Sequence, residues 1–154
     1  MFQTILAGID GSRRTQAIME ATTDLALATG ASVHILCAID PAYFLDELDG
    51  EHPSRSDELD YPAAAMEREG ADALVRKVTL ELHAKGVEAV CSVVGGEPVQ
   101  TLLSAARQFE CDAIILGHRH LSRLGRLTGR SICHEILEKS PIPVFIIPAD
   151  YTLK

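Results

Sequence analysis

Cationic side chains and glycines are concentrated in one stretch of the sequence, GHRHLSRLGRLTGRS, which runs from Gly117 to Ser131. It holds four arginines, two histidines, three glycines and no acid. Arginine binds phosphate oxygens through parallel hydrogen bonds, and the amino terminus of a following helix offers unpaired N–H groups to an anion. The composition therefore indicates either an anion site or a basic exposed loop that is solvated or pairs with the acidic segment elsewhere in the chain.

A second candidate is the carboxylate of Asp10, in the segment Gly8–Ser12 that follows the first apolar run. A carboxylate at the end of a strand can accept hydrogen bonds from an exocyclic amine or a sugar hydroxyl. Asp10 is therefore either a ligand contact or a turn residue. Ser12 is predicted to cap the helix that follows, by accepting a backbone N–H bond.

Histidine and cysteine spacings predict no metal site. His118 and His120 are close in sequence to one another and His134 follows on a helix, but no cysteine or carboxylate is well placed to join them. The cysteines form no C-x-x-C pair and are predicted to be buried, reduced thiols. They are Cys37, Cys91, Cys111 and Cys133.

Five apolar runs rich in Val and Ile are spaced along the chain and predict the strands of a sheet. This sheet must position the candidate residues. Most are continuous, which is typical of strands buried on both faces of a parallel sheet. The runs are Thr4–Ile9, Ser32–Ile39, Val87–Val94, Asp112–Leu116 and Val144–Ile147. Helical patterns lie between them, so the order β-α-β-α-β-α-β-α-β predicts a parallel, doubly wound α/β fold. Ligands of such sheets bind beyond the carboxyl ends of the strands.

Helix ends are indicated by glycine and proline. Gly30 and Gly86 are expected to end the first two helices, and Pro98 suits the first turn of the third. The fourth helix is predicted from about Ser131 to Glu138, because Pro141 cannot continue it.

Residues 41–62 interrupt the alternation of strands and helices. This segment carries seven acids against one arginine, with three prolines and little periodicity. It is predicted to be a mobile loop after the second strand, with a lid over the site as the alternative.

The length and net charge of the chain limit the classes of protein to which it can belong. The 154 residues fit a single domain over 1–154. The net charge of −8 argues against nucleic-acid and membrane-surface partners. No apolar run approaches the roughly 18 residues that span a bilayer. Because the first residues lack a basic signal-peptide region and the thiols are predicted to be reduced, a cytoplasmic location is expected.

The chain resembles the universal stress protein family over essentially its whole length. The opening ILAGIDGS resembles the family's first strand and its aspartate, and PIPVFIIP resembles the fifth strand. The resemblance implies a five-stranded parallel, doubly wound, Rossmann-like (adenine nucleotide alpha hydrolase-like) three-layer sandwich. In nucleotide-binding members a loop G-x2-G-x9-G-[ST] wraps the phosphates of ATP, and the aspartate faces the adenosine.

Two positions of this loop depart from the family pattern. Gly117 and Ser131 match it, whereas His120 and Arg130 stand where the family has glycine. Arg130 would either fill the phosphate space or, with other loop arginines, replace amide contacts by charge-assisted ones. The resemblance implies a nucleotide site made of Gly8, Ile9, Asp10, Ala38, Leu116, Gly117, His118, Arg119, His120, Gly129, Arg130, Ser131 and Ile132.

The resulting functional hypothesis is a stress-response module that binds ATP, with Mg, or AMP. The resemblance implies at most slow ATP hydrolysis or autophosphorylation, and no catalytic residue is predicted. The alternative is a dimeric interaction or regulatory protein of the same fold that binds no nucleotide and acts on an unknown protein partner. A hydrolase or transferase of another α/β family is a third reading, although no Walker A, G-x-G-x-x-G or G-x-S-x-G sequence supports it.

A homodimer through residues 143–148 is also predicted. The run Val144–Ile147 is apolar, and an apolar edge strand is a liability unless it is paired. The resemblance implies antiparallel pairing of this strand across a two-fold axis. Burial of the run inside one subunit is the alternative.

Overall fold

The computed structural model describes residues 1–39, 68–118 and 132–152. Strands and helices alternate along these residues. The strands are β1 Thr4–Gly8, β2 Ser32–Ile39, β3 Ala89–Gly95, β4 Ala113–Gly117 and β5 Val144–Ile147. The helices are α1 Thr15–Thr29, α2 Arg68–Ala84, α3 Pro98–Gln108 and α4 Ile132–Lys139. The predicted loop 41–62 lies outside the described residues.

The five strands form one parallel sheet in the order β3-β2-β1-β4-β5. Because β1 lies between β2 and β4, the chain extends the sheet in one direction and then returns to extend it in the other. Such a reversal defines a doubly wound sheet. The predicted three-layer α/β class is therefore confirmed.

Two apolar clusters fix the helices to opposite faces of the sheet. Ile5 and Ala7 point into the cluster that holds α1 and α2, whereas Leu6 points into the cluster that holds α3 and α4. All three residues are fully buried. Neighbouring residues of a strand face opposite sides, so a strand covered on both faces must be apolar throughout. This is why the continuous apolar runs predicted strands correctly.

Glycine and proline end or begin the helices at the predicted places. Gly30 closes α1 with φ of 73°, and its N–H donates to the carbonyl of Ala26. Pro98 occupies the first turn of α3, where Glu97 caps the helix by accepting from the N–H groups of Val99 and Gln100. Gly86 also adopts a positive φ, of 82°, just beyond α2.

The start of α1 differs from the prediction. Ser12 is buried and its Oγ accepts the N–H of Arg14 at 3.3 Å, but the helix begins only at Thr15 with Arg14 at the N-cap. Ser12 therefore accepts a backbone N–H as predicted, but the helix begins two residues later than a cap at Ser12 implies. The reason is a turn before the helix, in which the carbonyl of Ser12 accepts the N–H of Thr15.

A histidine is buried near the amino ends of the strands, on the face covered by α3. The ring of His34 stacks on Phe109 with centroids 3.7 Å apart, and its Nε2 lies 2.8 Å from Ser92 Oγ. Only 4% of His34 is exposed. Burial disfavours the charged imidazolium and lowers the pKa of His34 below its ordinary value.

This burial predicts a pH dependence of stability. The unfolded chain binds a proton at His34 below about pH 6.5, whereas the folded chain resists it, so the free energy of unfolding should fall as pH drops from 7 to 5. Urea unfolding across this range measures the slope. The variant His34→Gln, which cannot titrate, should show a smaller slope, and equal slopes in both proteins would contradict the expectation.

Candidate functional site

The candidate site lies at the carboxyl edge of the sheet, where the parallel strands end. β1 and β4 are neighbours in the sheet, with Ala7 opposite Ile115. Beyond them the chain turns towards opposite faces, to α1 after β1 and to α4 after β4. In open α/β sheets such a divergence forms the crevice between the two strand ends in which ligands bind.

Asp10 makes the turn that leaves β1. Its Oδ1 accepts the N–H of Ser12 at 2.9 Å, and Gly11 between them has φ of 75°. The side chain is half-buried. The turn role expected for Asp10 is therefore observed, and its role as a ligand contact stays a prediction.

The carboxylate of Asp10 also acts on the core beneath it. Cys37 of β2 is fully buried, and burial raises the pKa of its thiol to about 12, with the negative charge of Asp10 adding to the effect. A thiolate is poorly solvated there and is repelled by the carboxylate. Cys37 is thus a thiol that packs as a small apolar residue, as expected from the sequence.

The end of β4 is held by three other elements. The N–H of His118 donates to the carbonyl of Ile147 at the end of β5, at 2.8 Å. The carbonyl of His118 accepts from Nε of Arg14, also at 2.8 Å. Cys133 of α4 donates its thiol to the carbonyl of Gly117 at 3.2 Å. The backbone at Gly117 and His118 is therefore fixed by α1, β5 and α4 at the point where the chain enters the basic stretch.

Glycine is required at the end of β1 by close packing. A Cβ at Gly8 would lie 2.7 Å from Cδ2 of Leu116 and 3.0 Å from Cδ2 of Leu102. Both leucines are buried. At Gly117 the nearest atom to such a Cβ would be Cδ1 of Ile18, at 2.9 Å. At both strand ends a Cβ would therefore come within 3.0 Å of a buried side chain, so that neighbouring side chains pack directly against the backbone of Gly8 and Gly117.

The predicted site residues divide into three groups. The structure brings five together at the ends of β1 and β4, namely Gly8, Ile9, Asp10, Leu116 and Gly117, with His118 immediately after them. Ala38 lies near the end of β2 and Ile132 begins α4, and both are half-buried. Arg119, His120, Gly129, Arg130 and Ser131 lie outside the described residues. Whether Arg130 fills the phosphate space or contacts phosphate stays a prediction.

Sequence reasoning missed Arg14. Arginine is almost never buried without a partner, and the residue follows a turn next to the exposed Arg13, so its sequence context indicates a surface position. Its burial depends on contact with the end of β4, more than a hundred positions along the chain. No local pattern reports such a contact.

The part of the chain that the structure describes contains no group of three or more His, Cys, Asp or Glu residues suited to a metal ion. Within the same residues, no helix is both long and apolar enough to cross a membrane.

A doubly wound parallel sheet with a carboxyl-edge crevice defines a large class of α/β proteins, and sequence comparison narrows it. The sequence model of the Universal stress protein family matches residues 1–148. The chain belongs to this family. It is 25% identical to the universal stress protein YxiE of Bacillus subtilis, a similarity that covers 96% of this chain and 99% of the relative.

Solved structures show the same fold. A crystal structure of a universal stress protein in complex with cAMP superposes with a TM-score of 0.70 at 20% identity, covering 97% of this chain and 98% of the other. The universal stress protein from Archaeoglobus fulgidus in complex with dAMP gives a TM-score of 0.61 at 14% identity, covering 96% and 98%.

The close packing at Gly8 predicts a local stability cost. Gly8→Ala should lower the free energy of unfolding by about 1–3 kcal/mol, because its Cβ forces two buried leucines apart. Gly95→Ala is the matched control, since the nearest atom to its Cβ is the carbonyl oxygen of Ile39 at 3.9 Å. Urea unfolding measures both. An equal effect of the two substitutions would show that packing at the end of β1 is looser than described.

Proposed function

We propose that the chain binds an adenine nucleotide in the carboxyl-edge crevice between β1 and β4. The observation that carries the proposal is the reversal of strand order at this point, which brings the Asp10 turn and the Gly117–His118 backbone to the two sides of one opening. Clefts at such switch points are the usual nucleotide sites of doubly wound sheets.

The proposal gives a role to the site residues at the ends of β1, β2 and β4. The carboxylate of Asp10 accepts hydrogen bonds from the nucleoside, and Ala38 forms part of the adenine wall because its small side chain stands near the end of β2. Gly117 and His118 offer the ligand the main chain at the end of β4. The phosphates extend towards residues 119–131, where arginines favour an anion and the amino end of α4 follows. When ATP is the ligand, Mg accompanies it.

Two features of the relatives support an adenine ligand. The solved universal stress proteins named above are complexes with cAMP and with dAMP, and each carries an adenine base with a phosphate. This chain shares their fold, and the proposal extends an adenine ligand to it. A cytoplasmic location also belongs to this proposal, because the four cysteines are free thiols.

A second candidate function is that of a dimeric interaction protein, and it is favoured by the edge strand β5. All four residues Val144–Ile147 are half-buried, and among the described strands β5 pairs with β4 alone. The carbonyls of Pro143 and Ile147 accept from β4, so the backbone of the alternate residues 144 and 146 is directed to the open edge. We propose that residues 143–148 of two copies pair there to form a homodimer.

Nucleotide binding is tested by calorimetric titration with AMP, cAMP and ATP–Mg. Asp10→Asn keeps an oxygen for the Ser12 N–H but removes the charge, so affinity should fall by about tenfold or more. Glu88→Gln is the control, because it removes one exposed charge just before β3, at the opposite edge of the sheet. Absence of binding by the unaltered protein at millimolar nucleotide would leave the interaction protein as the function.

The dimer is tested by light scattering during gel filtration at micromolar concentration. The unaltered protein should have twice the mass of one chain. Ile146→Pro should give a monomer, because it removes an outward N–H at the pairing edge. Circular dichroism checks that the variant keeps its helices. A monomeric unaltered protein would contradict pairing through β5.

A further inference from the structure

A cation is buried at the amino end of α1. Arg14 occupies the N-cap, and only 7% of the residue is exposed. Its Nε donates to the carbonyl of His118 at 2.8 Å. Among residues 1–39, 68–118 and 132–152, no carboxylate forms an ion pair with Arg14. Burying a charge is costly unless an opposite charge or several hydrogen bonds compensate it.

The amino end of α1 and the neighbouring Arg13 add to this cost. The amino end of a helix carries the positive end of its dipole, which favours acids and disfavours cations. The first turn of α1 contains no acid, and the exposed Arg13 adds a second cation beside Arg14. Charges that oppose local stability in this way are expected at functional or strained sites.

The next residue supplies an independent sign of a ligand. Thr15 is 9% exposed, and its Oγ1 has no hydrogen-bond partner among the residues that the structure describes. By contrast, Thr22 and Thr23 each donate to the carbonyl four residues back at 2.7 Å. Thr15 begins the helix, so no helical carbonyl lies four residues before it to accept its hydroxyl proton. Buried hydroxyls are nevertheless almost always hydrogen-bonded.

Both groups are at the carboxyl edge of the sheet. Thr15 shares a helical stripe with Ile18 and Thr22, which are buried on the side of α1 that packs against the sheet. Cβ of Arg14 lies 3.5 Å from the ideal Cβ position of Gly117, and its side chain reaches the His118 carbonyl. Arg14 and Thr15 are therefore both buried at the end of α1 that contacts the end of β4.

We propose that Arg14 and Thr15 bind a phosphate-type oxyanion at the amino end of α1. The anion neutralises the buried guanidinium, accepts from its remaining N–H groups and takes the hydroxyl proton of Thr15 in a hydrogen bond. The identification of this anion as the phosphate of a bound nucleotide rests on the function proposed above. Free inorganic phosphate has the same chemistry and is distinguished experimentally.

The experiment separates the contribution of the phosphate to the binding affinity from that of the nucleoside. Affinities for AMP and for adenosine are measured by calorimetry, and their ratio gives the contribution of the phosphate. Arg14→Met should lower this ratio about tenfold or more and Thr15→Val about threefold or more. Arg13→Met is the matched control, since it removes an adjacent but exposed charge. It should change the ratio by less than about threefold.

Stability measurements distinguish ligand binding from a structural role. Thr15→Val keeps the shape of the side chain and removes a hydroxyl that has no partner, so the ligand-free protein should be as stable as the unaltered one or more so. Inorganic phosphate should raise the unfolding midpoint of the unaltered protein and of Arg13→Met, but not that of Arg14→Met.

Each result decides between the two proposals. If the unaltered protein binds AMP and neither Arg14→Met nor Thr15→Val changes the ratio, the nucleotide site stands and the anion site is wrong. If no adenine nucleotide binds, the proposed function is wrong, and the anion site is then tested by the effect of inorganic phosphate on the unfolding midpoint. Stabilisation by phosphate that is lost in Arg14→Met then supports the anion site, and no stabilisation overturns it.

Discussion

The simultaneous pairing of β1 with two neighbours is the constraint on which the molecule depends. Leu6 lies opposite His34 on one side and Ile114 on the other, so β1 is the centre from which the sheet grows in both directions. Right-handed crossovers that extend the sheet in one direction put their helices on one face, and those that extend it in the other direction put their helices on the opposite face. The crevice at the carboxyl edge is therefore a result of strand order and exists before any ligand is considered.

Close packing fixes the positions of the ends of β1 and β4 relative to each other. Gly8 and Gly117 let the buried ends of Leu116 and Ile18 approach the strand backbones. The hydrogen bonds of His118 then tie the β4 end to α1 and to β5. Because interiors are packed without spare volume, a shift in one strand end is transmitted to the other. The two walls of the crevice are thus positioned as a unit.

Much of this arrangement follows from local sequence signals. Strands buried on both faces need uninterrupted apolar residues, and Gly30 and Pro98 have backbone preferences that act wherever they occur. The carboxylate of Asp10 was found because it follows an apolar run. The burial of Arg14 was not predicted, because it depends on a hydrogen bond to the backbone carbonyl of His118 just beyond β4. A contact between residues so far apart in the chain leaves no periodic pattern in the sequence.

The thiol of Cys37 has a consequence for oxidative chemistry. With a pKa of about 12, only about one molecule in 10⁵ carries the reactive thiolate at pH 7. Peroxides attack the thiolate, and this sulfur has no exposed surface from which to meet them. The sulfur of Cys37 is therefore protected from oxidants that modify exposed, acidic cysteines. The packing beneath the Asp10 turn is thus not disturbed by oxidation at this position.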